Sequence, residues 1–167
     1  MLPPQLTIGR FASPLGELLV LGIAATDTVS GLWITGEKHA PDIAPEWIRD
    51  DRAFAKARQQ LAEFFAGTRT TFDLMLEPAG TPFQQRVWQA LREIPYGTTT
   101  SYGALARAIQ QPTASRAVGL ANGRNPLSII VPCHRVIGAN GALTGYGGGL
   151  TAKRWLLDHE ARISRSR

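Results

Sequence analysis

The chain changes its hydrophobic period near Gly80, and that change sets the fold class. Ahead of it, the apolar runs Leu6 to Phe11, Leu18 to Ile23 and Val29 to Ile34 are short and separated by Gly, Pro, Asp and Ser, the pattern of an antiparallel meander. Behind it, Thr81 has the chemistry of an N-cap, Pro82 suits the first helical position, and Gln84 stands where a capping-box partner belongs. Phe83, Val87 and Leu91 then recur at helical spacing. Strands grouped ahead of helices predict an α+β fold: a small antiparallel sheet with one helix over residues 1–78, and a mostly helical unit over 79–167. In the first unit, Phe54, Ala57, Leu61 and Phe65 place a helix within Pro45 to Phe65, stopped by Gly67, and Thr71 to Pro78 is expected as a strand running into a linker.

Charge follows the same boundary. Residues 1–80 carry 7 basic and 10 acidic side chains, net −3, whereas residues 81–167 carry 11 and 3, net +8. A polyanion such as DNA would be drawn to the second half, although a solvated basic face has the same composition. No stretch approaches the roughly 18 apolar residues of a membrane span, and the N-terminal MLPPQLTIGRF lacks the basic head and apolar run of a signal peptide. The expected address is the cytoplasm. One cysteine forms no internal disulfide, and three scattered histidines make a poor zinc site, so neither metal nor cofactor is expected.

Within the second half, Pro95 and Gly97 end the first helix, Ser101 caps a short one through Ile109, and Thr113 is expected to cap another to about Asn122. Two short helices across a tight turn fit a helix-turn-helix, and equally two packed helices of an ordinary core. The second carries Ala114, Ser115, Ala117 and Gly119 around Arg116, so its backbone can approach a groove closely or, alternatively, another helix.

Chemistry concentrates at Pro132-Cys133-His134-Arg135. A lone cysteine is commonly a small buried hydrophobe; here a proline fixes the backbone before it, and the charge of Arg135 is expected to favour thiolate. In an extended segment His134 would face away from Cys133, so a water is the expected relay between them. The far side of the imidazole needs a carboxylate, and Glu160, on a C-terminal helix expected to start at a Thr151 cap, is the best placed of the three acidic residues in this half. A surface carboxylate or an ion pair with Arg is the alternative role for Glu160.

PCHRV, with the Asn of NP eight residues before its cysteine and GYGGG and KRWLLDHE after it, closely resembles the O6-alkylguanine-DNA alkyltransferases, as do TPFQQRVW, IPYGTTTSYG and ASRAVGLANG. The resemblance runs from Thr81 to about Ala161, and the first half shares the looser SPLGEL and FFAG. It implies a ribonuclease H-like N-terminal domain, and a C-terminal domain with a helix-turn-helix and a short hairpin or wing. It further implies DNA repair by irreversible transfer of an alkyl group from O6-alkylguanine, and from O4-alkylthymine, to Cys133. His134, a water and Glu160 would draw off the thiol proton, and Tyr102 would assist the departing guanine. Arg116 would fill the space left by a flipped nucleotide, while Ala114, Ser115, Ala117 and Gly119 would line the minor groove. Asn125 would brace the turn before the cysteine, Tyr146 would wall the alkyl pocket, and Val131 and Gly147 would offer backbone groups to the guanine. Many relatives carry Ser at Gly147, which puts a side-chain contact there in doubt. The implied partner is damaged duplex DNA, bound by a monomer, with cooperativity open. A helix-turn-helix damage sensor without chemistry and a thiol hydrolase are the rival functions; the first is disfavoured by Cys133, and the second requires turnover.

Overall fold

The computed structural model describes residues 1–167. Strands β1 (Thr7–Ser13), β2 (Gly16–Ile23) and β3 (Thr28–Ile34) form the antiparallel meander, with β1 and β2 joined by a tight turn at Pro14 and Leu15. Two short parallel strands, β4 (Ile48–Arg49) and β5 (Met75–Leu76), extend it to the order β4-β1-β2-β3-β5. Side chains alternate across the sheet. Leu18, Val20, Leu32 and Ile34 enter the main core, whereas Ile8, Leu19, Leu21 and Trp33 form a small cluster on the opposite face, covered by Ala40, Ile43 and Trp47 of the β3–β4 connection. Gly31 is bare because the Trp33 indole lies where its β-carbon would stand.

Helix α1 spans Ala55–Ala66 and ends at Gly67, whose φ of 80° favours glycine. It starts well after Pro45 because the preceding residues have other backbone partners. Ile48 and Arg49 pair with β1, while the Asp50 and Asp51 carboxylates accept the Arg52 and Arg10 amides. The strand expected over Thr71 to Pro78 shrinks to two residues for a similar reason: the Gln60 side chain holds both the amide and the carbonyl of Asp73.

Helix α2 (Pro82–Arg92) begins with both halves of the Thr81–Gln84 capping box and buries Val87, Trp88 and Leu91, with Phe83 half-buried. The Ser101 hydroxyl caps α3 (Tyr102–Ala108) through the Ala104 amide. Two expected caps are not formed. Helix α4 (Ser115–Gly123) starts after Ala114, whose amide closes a turn onto Gln111, and Thr113 does not cap it. Helix α5 (Leu150–Arg165) starts after Gly149, so Thr151 lies inside its first turn. In place of a short hairpin, β6 (Thr100–Ser101) and β7 (Val136–Ile137) pair in parallel, because the segment returning after the cysteine passes alongside the entry to α3.

The main core draws on both halves of the chain. Its seam is hydrogen-bonded: Leu32 donates to the Pro126 carbonyl at 2.8 Å and Ser128 donates back to Leu32 at 3.0 Å. The segment leading to Cys133 is thereby held against β3. No helix is long and apolar enough to cross a membrane.

Candidate active site and DNA-binding face

Two tight turns shape the chain before the cysteine. Ile129 has a φ of 74°, uncommon for a β-branched residue, and Ile130 donates to the Ser128 carbonyl across it, a strained γ-turn. Pro132 lies at φ −82° and ψ 62°, and Cys133 donates to Val131 across it, the relaxed γ-turn of opposite hand. Asn125 holds both turns in place. Its side-chain carbonyl accepts the Leu127 amide at 3.0 Å and its amide donates to the Val131 carbonyl at 2.8 Å. The Val131 carbonyl thus already has two protein donors, the Asn125 side chain and the Cys133 amide.

Cys133–Arg135 is a 3-10 turn rather than an extended segment, and all three side chains are buried. His134 Nε2 lies 2.9 Å from Glu160 Oε1, whereas the buried Nδ1 has no protein partner. Arg135 does not serve the thiol. Its Nε reaches both Glu160 oxygens at 3.0 and 2.9 Å, Nη2 reaches Oε1 at 2.6 Å, and Nη1 donates to the Ile94 carbonyl, so its charge is matched by Glu160. Both roles considered for Glu160, imidazole partner and arginine ion pair, occur together.

Electrostatics give this cluster a neutral resting state. Burial pushes the Cys133 thiol up to about 12, with the Glu37 charge adding to it and the Asn125 amide and Lys153 charge opposing it. Burial also lowers His134, helped by the Arg135 and Lys153 charges, against the pull of Glu160. For Glu160, burial acts upward, but the hydrogen bonds from His134 and Arg135 and the neighbouring positive charge outweigh it and hold the carboxyl at about 2. With Glu160 ionised and the imidazole neutral, the proton belongs on Nε2 and the lone pair on Nδ1. The expectation that Arg135 favours thiolate is therefore corrected.

Lys153, fully buried on α5, donates to the Val136 and Thr144 carbonyls at 2.6 and 2.8 Å and fixes the loop between β7 and α5. On that loop the Tyr146 hydroxyl is buried without a partner, and the Gly147 carbonyl accepts the Lys38 amide. Helix α4 turns Val118, Ala121 and Asn122 inward and Arg116, Ala117, Leu120 and Arg124 outward. Tyr102 lies in van der Waals range of any β-carbon placed on Gly119, and its hydroxyl bonds Thr144 Oγ1 at 2.8 Å. Between α4 and the loop is an open cavity of about 750 Å³, bordered by Tyr102, Ser115, Arg116, Gly119, Leu120, Arg124, Tyr146 and Gly147, with Lys38 and His39 arriving from the N-terminal half. Ala114, at the N-cap, and Ala117, on the helix, are outside the cavity lining; Cys133, His134, Asn125, Val131 and Glu160 are buried in the core, with Cys133 near Tyr146 of the lining.

Several contributors had no signature in the sequence. Ser128, Thr144, Lys153, Arg124 and the turn carrying Glu37, Lys38 and His39 are brought to the site by the fold alone. Exposed Leu120 could have been found as the large apolar residue one turn after Arg116.

A protein-family model described as 6-O-methylguanine DNA methyltransferase, DNA binding domain, matches residues 82–162. The methylated-DNA–protein-cysteine methyltransferase of Methanosarcina acetivorans is 49% identical over 154 residues, covering 90% of this chain and 95% of its own. That of Mycolicibacterium paratuberculosis is 52% identical over 152 residues, covering 91% and 90%. The crystal structure of Mycobacterium tuberculosis OGT in complex with DNA superposes with a TM-score of 0.88 at 48% identity, over 94% of each chain.

Proposed function

The chain belongs to the methylated-DNA–protein-cysteine methyltransferase family, and from that membership and the geometry above we propose how its residues repair alkylated DNA. Cys133 accepts the alkyl group of O6-alkylguanine in duplex DNA. The observation that carries the assignment is the buried Cys133-His134-Glu160 array, with Cys133 near Tyr146 of the cavity lining: Glu160 fixes Nε2, and the free lone pair of Nδ1 is the base available to the thiol.

The reaction is a displacement at the alkyl carbon. As the thiol proton passes through a water to His134 Nδ1, the sulfur forms a bond to carbon and the bond from carbon to O6 breaks. Guanine departs with its electron pair and takes up a proton, assisted by the Tyr102 hydroxyl. The product is a thioether, which no group at the site can hydrolyse, so each molecule reacts once. With burial holding the resting thiol up at about 12, Cys133 is protonated at rest and gives up its proton during the transfer.

Residues 79–167 act as the DNA-binding and acceptor domain and residues 1–78 as its support. Helix α4 enters the minor groove with Ala114, Ser115, Ala117 and Gly119 against it, and Arg116 takes the place of the flipped nucleotide. Asn125 braces the acceptor turn, Tyr146 walls the alkyl pocket, and the Val131 and Gly147 backbones face the guanine edge. O4-alkylthymine is accepted by the same chemistry, and the protein works as a monomer in the cytoplasm on nucleoid DNA. The test is intact mass after mixing with a duplex containing O6-methylguanine. One methyl is gained on the peptide holding Cys133 and none in Cys133→Ser; no gain in the native protein, or catalytic turnover of a small ester, rejects the assignment.

A further inference from the structure

Glu37 is a half-buried carboxyl group that the transfer chemistry leaves unused. It belongs to the turn after β3, in the half of the chain that supplies none of the transfer residues. Its Oε2 accepts the Ile34 amide at 2.9 Å, and its Oε1 lies 2.5 Å from Ser128 Oγ, 91 residues away. Ser128 is fully buried in the braced segment between Asn125 and Cys133. The same carboxyl group abuts the opposite wall of the site. A β-carbon on Gly147 would stand 2.8 Å from Oε1 and 3.0 Å from Cγ of Glu37, and the next amide, of Lys38, donates to the Gly147 carbonyl. The Gly147 backbone lies outside the left-handed region, so it is Glu37, and not φ, that a side chain there would have to displace from its hydrogen bonds to Ile34 and Ser128.

We propose that Glu37 is a positioning and specificity-determining residue of the alkyl-transfer pocket, occupying the space of the side chain that Gly147 lacks and fixing the Ser128 and Gly147 walls relative to each other. The proposal rests on Cys133 being the alkyl acceptor. Residues 37 and 147 therefore share one volume, and a change at either is felt through the other. The carboxylate also acts on the acceptor electrostatically. Cys133 is faced by Glu37 from the β3 turn, by Lys153 from α5, by Tyr146 from the preceding loop and by the Asn125 amide; His134 and Arg135 adjoin it on its own turn, with Glu160 behind them. Glu160 is matched by Arg135, whereas Glu37 is held by neutral donors, and its charge opposes thiolate formation.

Single-turnover methyl transfer from duplex O6-methylguanine, followed by intact mass, tests this in the full chain. Gly147→Ser slows transfer about tenfold or more, since a displaced pocket wall misplaces the reacting atoms. Glu37→Ala/Gly147→Ser recovers most of that loss, although Glu37→Ala alone is slower than the native protein. Glu37→Gln, which keeps the shape and removes the charge, moves the rise of rate with pH to lower pH, a change that a purely structural role would not produce. Losses in the double variant that are the product of the single losses, or a Glu37→Gln profile that superimposes on the native one, overturn the proposal. A native protein that gains no methyl overturns the acceptor assignment instead, so the two failures are distinguishable.

Discussion

The side-chain amide of Asn125 donates to the carbonyl of Val131 across 2.8 Å, two residues before the acceptor sulfur. Both ends of this contact are buried, and the Asn125 carbonyl simultaneously serves the Leu127 amide. Asn125→Ala leaves the buried Leu127 amide without a partner, worth about 1–3 kcal/mol, and takes from the Val131 carbonyl one of its two donors, the Cys133 amide remaining. Urea unfolding should show a loss of about 2 kcal/mol or more, against less than about 0.5 kcal/mol for Asn140→Ala in the exposed loop.

Glu160 makes the fold acid-sensitive in a defined window. Its carboxyl is held at about 2, below the ordinary 4.5, so proton uptake favours the unfolded chain. The stabilisation is complete above about pH 4.5 and is lost as pH falls through about 2, a change of about 3 kcal/mol. Urea midpoints measured from pH 6 to pH 2 should trace that loss. A flat profile would show that the Glu160 network contributes no linkage.

The resting thiol should be sluggish toward small electrophiles. With Cys133 at about 12 rather than near 9, its thiolate fraction at pH 8 falls on the order of a thousandfold. Labelling by iodoacetamide, compared between folded and urea-unfolded protein, should differ in that direction, and the folded rate should still be climbing above pH 9.

Alkylation should weaken the fold. Cys133 is 6% exposed inside the main core, and a methyl group added there overpacks it by about 1–3 kcal/mol. Thermal melts of mass-verified methylated and unreacted protein should differ by several degrees, about 2–4 °C per kcal/mol for a chain of this size. An unchanged melting temperature would show that the added methyl does not overpack the core.

On the proposed mechanism Arg116 handles DNA and takes no part in the chemistry. It lies exposed on α4 at the cavity, away from the buried array. Arg116→Ala should slow transfer from duplex O6-methylguanine about tenfold or more while leaving transfer from free O6-benzylguanine base unchanged. Equal losses on both substrates would place Arg116 in the chemistry instead.

What the sequence disclosed follows from how local each interaction is. The Thr81–Gln84 box and the Ser101 cap involve residues three apart and form as expected. Helix α1 starts later than its apolar spacing suggests because Asp50 and Asp51 capture backbone amides and Ile48 pairs with a strand 41 residues earlier, competitors invisible to helical spacing. Thr113 and Thr151 failed as caps because turns at Ala114 and Gly149 set the entry geometry first. At the site, Glu160 was legible because few carboxylates exist in the basic half. The turn that buries Cys133 was not, since it depends on Asn125 and on the seam to β3. Glu37 and Ser128 meet across 91 residues through the fold alone.

The burial that holds Cys133 as a neutral thiol also governs how long the protein lasts. A molecule that reacts once has a repair capacity equal to its copy number, and every encounter with a stray oxidant or electrophile would subtract from the stock. Oxidation and alkylation both proceed through thiolate, so a thiol whose burial disfavours ionisation is kept in reserve. Sluggishness at rest is then the storage condition of a consumable reagent, and the braced core around Cys133 is its container.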